Sequence, residues 1–215
     1  MGLVRCAGPF SLCRFTILNR GKPFDVDGLL INHPEVVIAP GTPIERWCLS
    51  ATDIDRMRAI AALPMIAGVG AIWASTETKA IEAAGILSAA HGLGIQVAED
   101  LGENDRTSTG FLPPSEFERA ADAFFAQPET SVRGWERAVD AQARVHRAVS
   151  RIASSHVNGD LAIVAHGAVG TLLFCMLAGS LINRSFDQPF QGHFWRASLP
   201  DLRPIEGWKP IAPRA

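Results

Sequence analysis

The chain has 215 residues, 47% of them hydrophobic and 20% charged, an ordinary globular balance that excludes global disorder. Twenty Lys+Arg against 22 Asp+Glu give a net charge of -2, so a nucleic-acid surface is not expected. Cys6, Cys13, Cys48 and Cys175 lack Cys-x-x-Cys spacing and are too few for a disulfide scaffold.

Residues 1–27 show no sustained hydrophobic period and read as an N-terminal extension, in which Gly8, Pro9 and Ser11 break any signal-peptide core. A single domain is expected over residues 28–200, followed by a Pro-rich tail, 201–215, wrapping the surface. Gly28 to Asn32 is a short buried strand that delivers His33 at its end. A loop runs from Pro34 to Trp47. Ser50 and Asp53 have the spacing of a helix-capping pair, and Ile54, Met57, Ile60 and Ala61 form the buried stripe of the helix that follows.

Val69 to Ala74 is a second strand. The helix after it, Thr76 to His91, turns Ile81, Ala84 and Leu87 or Ser88 inward and stops at Gly92. Ile95 to Ala98 is a third strand, and the polar loop Asp100 to Pro114 leads to a second capping pair, Ser115 with Glu118. Helices are expected over Glu116–Ala126 and from Trp135 to about Ser154. Leu161 to Ala165 is a very apolar fourth strand ending at His166-Gly167, and Gly192 to Ala197 is a last one.

The longest apolar run, Ala168 to Leu181, is interrupted by Gly170, Thr171, Gly179 and Ser180. It reads as a buried helix and falls short of the roughly 18 residues that span a bilayer. No membrane association is expected, and a cytoplasmic protein is the default. Cys48 and Cys175, in apolar surroundings, are read as buried reduced thiols. Phe124, Phe125 and Trp135 are assigned to the core more readily than to a dimer face, which leaves monomer and homodimer both open.

Strands alternating with crossover-length helices define an α/β fold with a mostly parallel central sheet flanked by helices on both faces. Ligands of such sheets bind at the carboxyl ends of the strands. His33, Ser75, the Asp100–Glu103 segment and His166 should therefore meet.

These residues resemble the histidine phosphatase, or phosphoglycerate-mutase-like, superfamily. Asn32-His33-Pro34 stands where that family has Arg-His-Gly, and Leu49-Ser50 matches its Leu-Ser before the first helix. Ser75-Thr76-Glu77-Thr78-Lys79-Ala80 is similar to its Ser-x-x-x-Arg-Ala. Leu101-Gly102-Glu103 matches its Leu-x-Glu, and His166-Gly167 its second His-Gly. A match at Ala39-Pro40-Gly41 would delete the nucleophile and leave too short a loop before Leu49, so His33 is preferred. No single motif is specific; five in order, from Gly28 to Ala197, are.

The resemblance implies a three-layer phosphoglycerate-mutase-like sandwich and phosphoryl transfer to a nucleophilic imidazole on His33. Glu103 would be the general acid and base, while His166 and the helix beginning at Gly167 would face the phosphoryl oxygens. Asn32, Lys79 and Arg106 would complete the phosphate site. The implied partner is a small phosphorylated substrate. His33 and His166 lack metal-ligand spacing, so neither a metal nor another cofactor is expected.

Taken without the resemblance, each residue has a plainer alternative: His33 could simply close its strand and bond a backbone carbonyl, and His166 could be structural. Glu103 fits equally a solvated charge cluster with Asp105 and Arg106. Lys79 fits a surface ion pair with Glu77 or Glu82, and Arg106 either replaces the family's arginine or pairs with Asp105. His193 is a further candidate from the last strand; His91, His146 and His156 are structural or solvated. Asn32 and Lys79 each remove an arginine fork, and Pro34 removes a backbone N–H. A phosphatase is expected, with a mutase as a less favoured variant. A catalytically weak relative that binds a phosphorylated ligand or a protein partner is the alternative.

Overall fold

The computed structural model describes residues 27–213. The expected 1–27 extension therefore lies, apart from its last residue, outside the described residues. One six-stranded sheet organises the chain, in the order β3-β2-β4-β1-β5-β6. Strands β1 (Asp27–Asn32), β2 (Val69–Ala74), β3 (Ile95–Val97) and β4 (Asp160–Ala165) are parallel to their neighbours among these four. Strands β5 (His193–Ser198) and β6 (Arg203–Pro210) run antiparallel on the β1 side.

Every residue of β1 from Gly28 to Asn32 is buried, because both faces of the sheet are covered. Alternation along the strand divides the core. Leu29 and Ile31 pack with Met57 and Ile60 of α1 (Ala51–Ala61) and with Ala83 and Leu87 of α2 (Thr78–His91). Leu30 points to the other face. There it joins Phe124 of α3 (Pro114–Ala126), Val145 and Ile152 of α4 (Ala138–Ser155), and Leu172 of α5 (Gly167–Leu177). The result is the expected helix–sheet–helix sandwich. Gly170 makes one of its closest contacts: a Cβ there would lie 2.8 Å from both the Leu30 and Trp208 side chains, so only glycine lets α5 settle this close.

Four details depart from the sequence reading. The tail beyond Pro200 is not a surface wrap, since Arg203–Pro210 forms β6, the sheet edge paired with β5. Ser50 caps α1 as expected, its Oγ accepting from the Asp53 N–H, but the Ser115–Glu118 pair caps nothing. Helix α3 starts two residues earlier, at Pro114, with Pro113 as its cap, which puts Ser115 inside the first turn. Helix α2 begins at Thr78, so its buried face carries Ala80, Ala83, Ala84 and Leu87, while Ile81 is 39% exposed. Cys175 is buried, but Cys48 is exposed: it follows the 3-10 turn Ile44–Arg46, and the adjacent Leu49 takes the inward position.

Phe124, Phe125 and Trp135 are core residues. Trp135 lies ahead of α4 instead of opening it, and its indole N–H donates to Thr109 Oγ1 at 2.8 Å. Among the described residues no helix is long and apolar enough to cross a membrane.

Candidate active site

The sheet's hydrogen-bond ladder builds the site. Asn32 pairs with Ala165 at the carboxyl ends of β1 and β4, and the ladder continues one residue further, His33 N–H donating to Ala165 O at 3.3 Å. On the other side of β4, Ala74 pairs with Val164 and Ser75 N–H donates to Val164 O at 3.1 Å. His33, Ser75 and His166 thus leave three neighbouring parallel strands at one level, which follows from register alone.

The two imidazoles meet edge to face with ring centroids 5.1 Å apart. His33 Nδ1 lies 2.7 Å from Pro34 O. A carbonyl only accepts, so Nδ1 carries the hydrogen and Nε2 keeps its lone pair. Burial, reinforced by the Lys79 charge, lowers the His33 pKa to about 4, which keeps the ring neutral. His166 is fully buried, and burial holds it well below the ordinary range as well. Its Nε2 sits 2.7 Å from Ser75 Oγ and 3.1 Å from Glu77 Oε1, while Nδ1 has no protein partner.

Glu103 approaches from the segment after β3. Its carboxylate accepts from the N–H groups of Ala168 (3.3 Å) and Val169 (3.2 Å), in the first turn of α5, and from its neighbour Asn104 (3.1 Å). Burial pushes its pKa up; Arg106 opposes that and Glu77 adds to it. Glu103 is therefore neither surface-solvated nor part of an exposed charge cluster. Two first-turn N–H groups of α5, those of Ala168 and Val169, are thus turned to this carboxylate.

Lys79 is buried, so the surface ion pair is also corrected. Its ammonium donates to Ile44 O at 2.9 Å and pairs with the Glu77 carboxylate, while Glu82 instead accepts from Leu49 N–H at 2.7 Å. Arg106 does not pair with Asp105; its guanidinium lies over the rings of Phe117 and Trp135, 5.1 and 5.7 Å from their centroids. Asn32 is 1% exposed with neither end of its amide bonded to protein. Gly167 opens α5 where a Cβ would be 2.4 Å from Gln188 Nε2 and 3.5 Å from Asn32 Nδ2, so a side chain there would displace the Gln188 amide from this position. His193 packs edge-on against Phe190, with centroids 4.5 Å apart, near Arg56 and not against His33.

Four contributors had no sequence signal of their own. Glu77 is the hub: besides Lys79 and His166 it accepts from Glu103 N–H at 2.8 Å. Burial alone would raise its pKa, but His166 and Lys79 hold it at about 2. Arg144 of α4 fixes the Glu103 segment by donating to the carbonyls of Asp100, Gly102 and Glu103 at 2.9–3.2 Å, and it is itself paired with Glu136. Gln188 and Asn104 bring further buried amide groups, Oε1 of the first and Nδ2 of the second unbonded. A cavity of about 610 Å³, bounded by Ile44, Thr76, Glu77, Glu103, Asn104 and Arg106 among others, opens beside this cluster. Among the described residues no group of three or more His, Cys, Asp or Glu is placed to hold a metal ion.

A mostly parallel sheet sandwiched by helices, with two strand-end histidines in contact and a carboxylate clamped to the helix that follows the second, defines the phosphoglycerate-mutase-like class of α/β proteins. The family model of the histidine phosphatase superfamily (branch 1) matches residues 47–192, and the chain belongs to that superfamily. His33 lies just upstream of the matched segment. Among solved structures, mycobacterial glucosyl-3-phosphoglycerate phosphatase Rv2419c superposes with a TM-score of 0.74 at 17% identity, covering 87% of this chain and all of the other. Bacillus stearothermophilus YhfR gives 0.70 at 20% identity, covering 86% and 96%. A putative alpha-ribazole-5'-P phosphatase from Escherichia coli gives 0.67 at 17%, covering 87% and 98%. No curated protein matches in sequence.

Proposed function

We propose that the protein is a phosphatase that hydrolyses a small phosphomonoester through a phosphohistidine on His33. The observation that carries this reading is the His33 tautomer. Nδ1–H is committed to Pro34 O, which leaves the Nε2 lone pair unprotonated well below neutral pH. Nε2 attacks phosphorus as the ester oxygen leaves, and Glu103, whose burial favours its protonated form, supplies the proton to that oxygen. The resulting carboxylate then takes a proton from water, whose oxygen attacks phosphorus, releases inorganic phosphate and restores His33. Asn32, Lys79, His166, Gln188 and the Gly167 end of α5 surround the phosphoryl group. Membership of the superfamily and the phosphatases among the similar structures support the same reaction class.

A second reading has its own observation. Lys79, at the family's arginine position, is neutralised by Glu77, and Asn32 carries no charge, so the site holds less fixed positive charge than the family pattern supplies. That favours a relative with weak or no turnover that binds a phosphorylated ligand.

Release of inorganic phosphate from an aryl phosphate and a panel of small phosphomonoesters separates the two. The phosphatase reading expects turnover that His33→Ala abolishes. Oxyanion binding without turnover anywhere on the panel would establish the second reading, and turnover unchanged in His33→Ala would remove His33 as nucleophile.

A further inference from the structure

A phosphoryl dianion entering this site meets little fixed positive charge. Lys79, 4% exposed, is cancelled by the Glu77 carboxylate beside it. His33 has to stay neutral to act as a nucleophile. The N–H groups of Ala168 and Val169 already face Glu103. Arg106, stacked on Phe117 and Trp135 at the cavity wall, keeps its charge and acts on both histidines, but it sets one positive charge against the dianion's two. Burying a dianion without compensating charge is costly, so some group has to change its charge as the ligand arrives.

His166 is the group able to do so. The charged and titratable groups facing it are Glu77 and Lys79 from the start of α2, His33 at the end of β1, and Arg106 from the segment after β3, while Glu103 is bonded to the first turn of the helix that follows it. Glu77 is the only one of these that is firmly anionic, and it lies 3.1 Å from Nε2. A carboxylate there fixes Nε2 as a donor, with Ser75 Oγ accepting alongside it, and leaves Nδ1 as the open nitrogen. It also stabilises an imidazolium once a second anion reaches Nδ1.

We propose that Glu77 is a positioning residue for His166, presenting Nδ1 so that a bound phosphoryl group draws one proton from solvent onto it and is held by an imidazolium. The bond formed is Nδ1–H, and the buffer supplies the proton. Oxyanion binding and proton uptake are then one event, and Glu77 replaces at one remove the charge that a second arginine would have carried. The inference rests on the reading of this cluster as a phosphate site.

Calorimetric titration of the intact protein with tungstate, in two buffers of different ionisation enthalpy near pH 6.5, tests it. Kept at submillimolar concentration, tungstate remains a monomeric dianion there, so any proton taken up belongs to the protein. We expect about one proton per tungstate in wild type and in Glu103→Gln, which silences the other buried acid. Ser75→Ala, which keeps the carboxylate, should retain most of the uptake; Glu77→Gln should lose most of it. Tungstate binding to wild type without proton uptake would overturn the proposal and leave the phosphate site standing, and so would uptake undiminished in Glu77→Gln. Absence of oxyanion binding by the folded protein would remove both.

Discussion

Glu103 accepts from the N–H groups of Ala168 and Val169, so the carboxylate proposed as proton donor is clamped to the first turn of the helix that follows His166. The acid and the second histidine are thereby fixed to one rigid element. Their spacing is set by α5 and not by the loop that carries Glu103 in sequence.

A clamped general acid has a distinctive signature. Glu103→Gln keeps the shape and an acceptor for these N–H groups but delivers no acidic proton. Alkyl phosphomonoesters, whose leaving oxygen needs protonation, should lose about 100-fold or more in kcat/KM, whereas an activated aryl ester should lose several-fold at most. Equal losses on both substrates would show that Glu103 has a structural role only.

The neutrality of His33 makes stability depend on pH. Its folded pKa of about 4 lies below the ordinary histidine value of 6.5, so the unfolded chain binds more protons in between, and stability rises with pH through that window. Tm should therefore fall as pH is lowered from 6.5 to 4, and His33→Gln should flatten part of that slope. Glu77 acts lower down: its pKa is depressed to about 2, so its contribution is present above the ordinary glutamate value of 4.5 and fades as pH falls towards 2. Melting curves across pH 2–7 for wild type and for the His33 and Glu77 variants measure both windows.

Arg144 connects the core to the chemistry. Replacing it with Lys keeps the charge but loses the fork that reaches the carbonyls of Asp100, Gly102 and Glu103. We expect a cost of about 2 kcal/mol, or a Tm drop of roughly 4–8 °C. Activity should fall most on substrates with poor leaving groups, as in Glu103→Gln. A lower Tm with an unchanged leaving-group dependence would separate scaffold from acid placement.

Much of this was legible in sequence because strand periodicity and strand-end punctuation are local signals. The ends of β1, β2 and β4 carry His33, Ser75 and His166, and parallel register brings them together with no further information. What sequence hid were consequences of packing. Glu77 sits two residues from Lys79 and reads as half of an exposed pair, yet both are buried because the turn into α2 leaves the carboxyl end of β2, an interior strand, beside His166. Arg144 is one charge among several on α4, and only the tertiary position of the Asp100–Glu103 segment makes it special. Arg203–Pro210 carries two prolines and no clean alternation, so its role as an edge strand depends on β5 being there to pair with it. Cys48 was misplaced because neighbouring apolar residues were read as surroundings, when Leu49 and Trp47 turn inward and the thiol between them turns out.

The central claim is the covalent intermediate on His33. Rapid quenching into alkaline denaturant during turnover of a labelled aryl phosphate should trap an acid-labile, base-stable phosphoenzyme, with the label on His33 in peptide maps run at alkaline pH and absent from His33→Ala. Turnover with no trapped phosphoenzyme at any quench time, or label on another residue, would contradict the account.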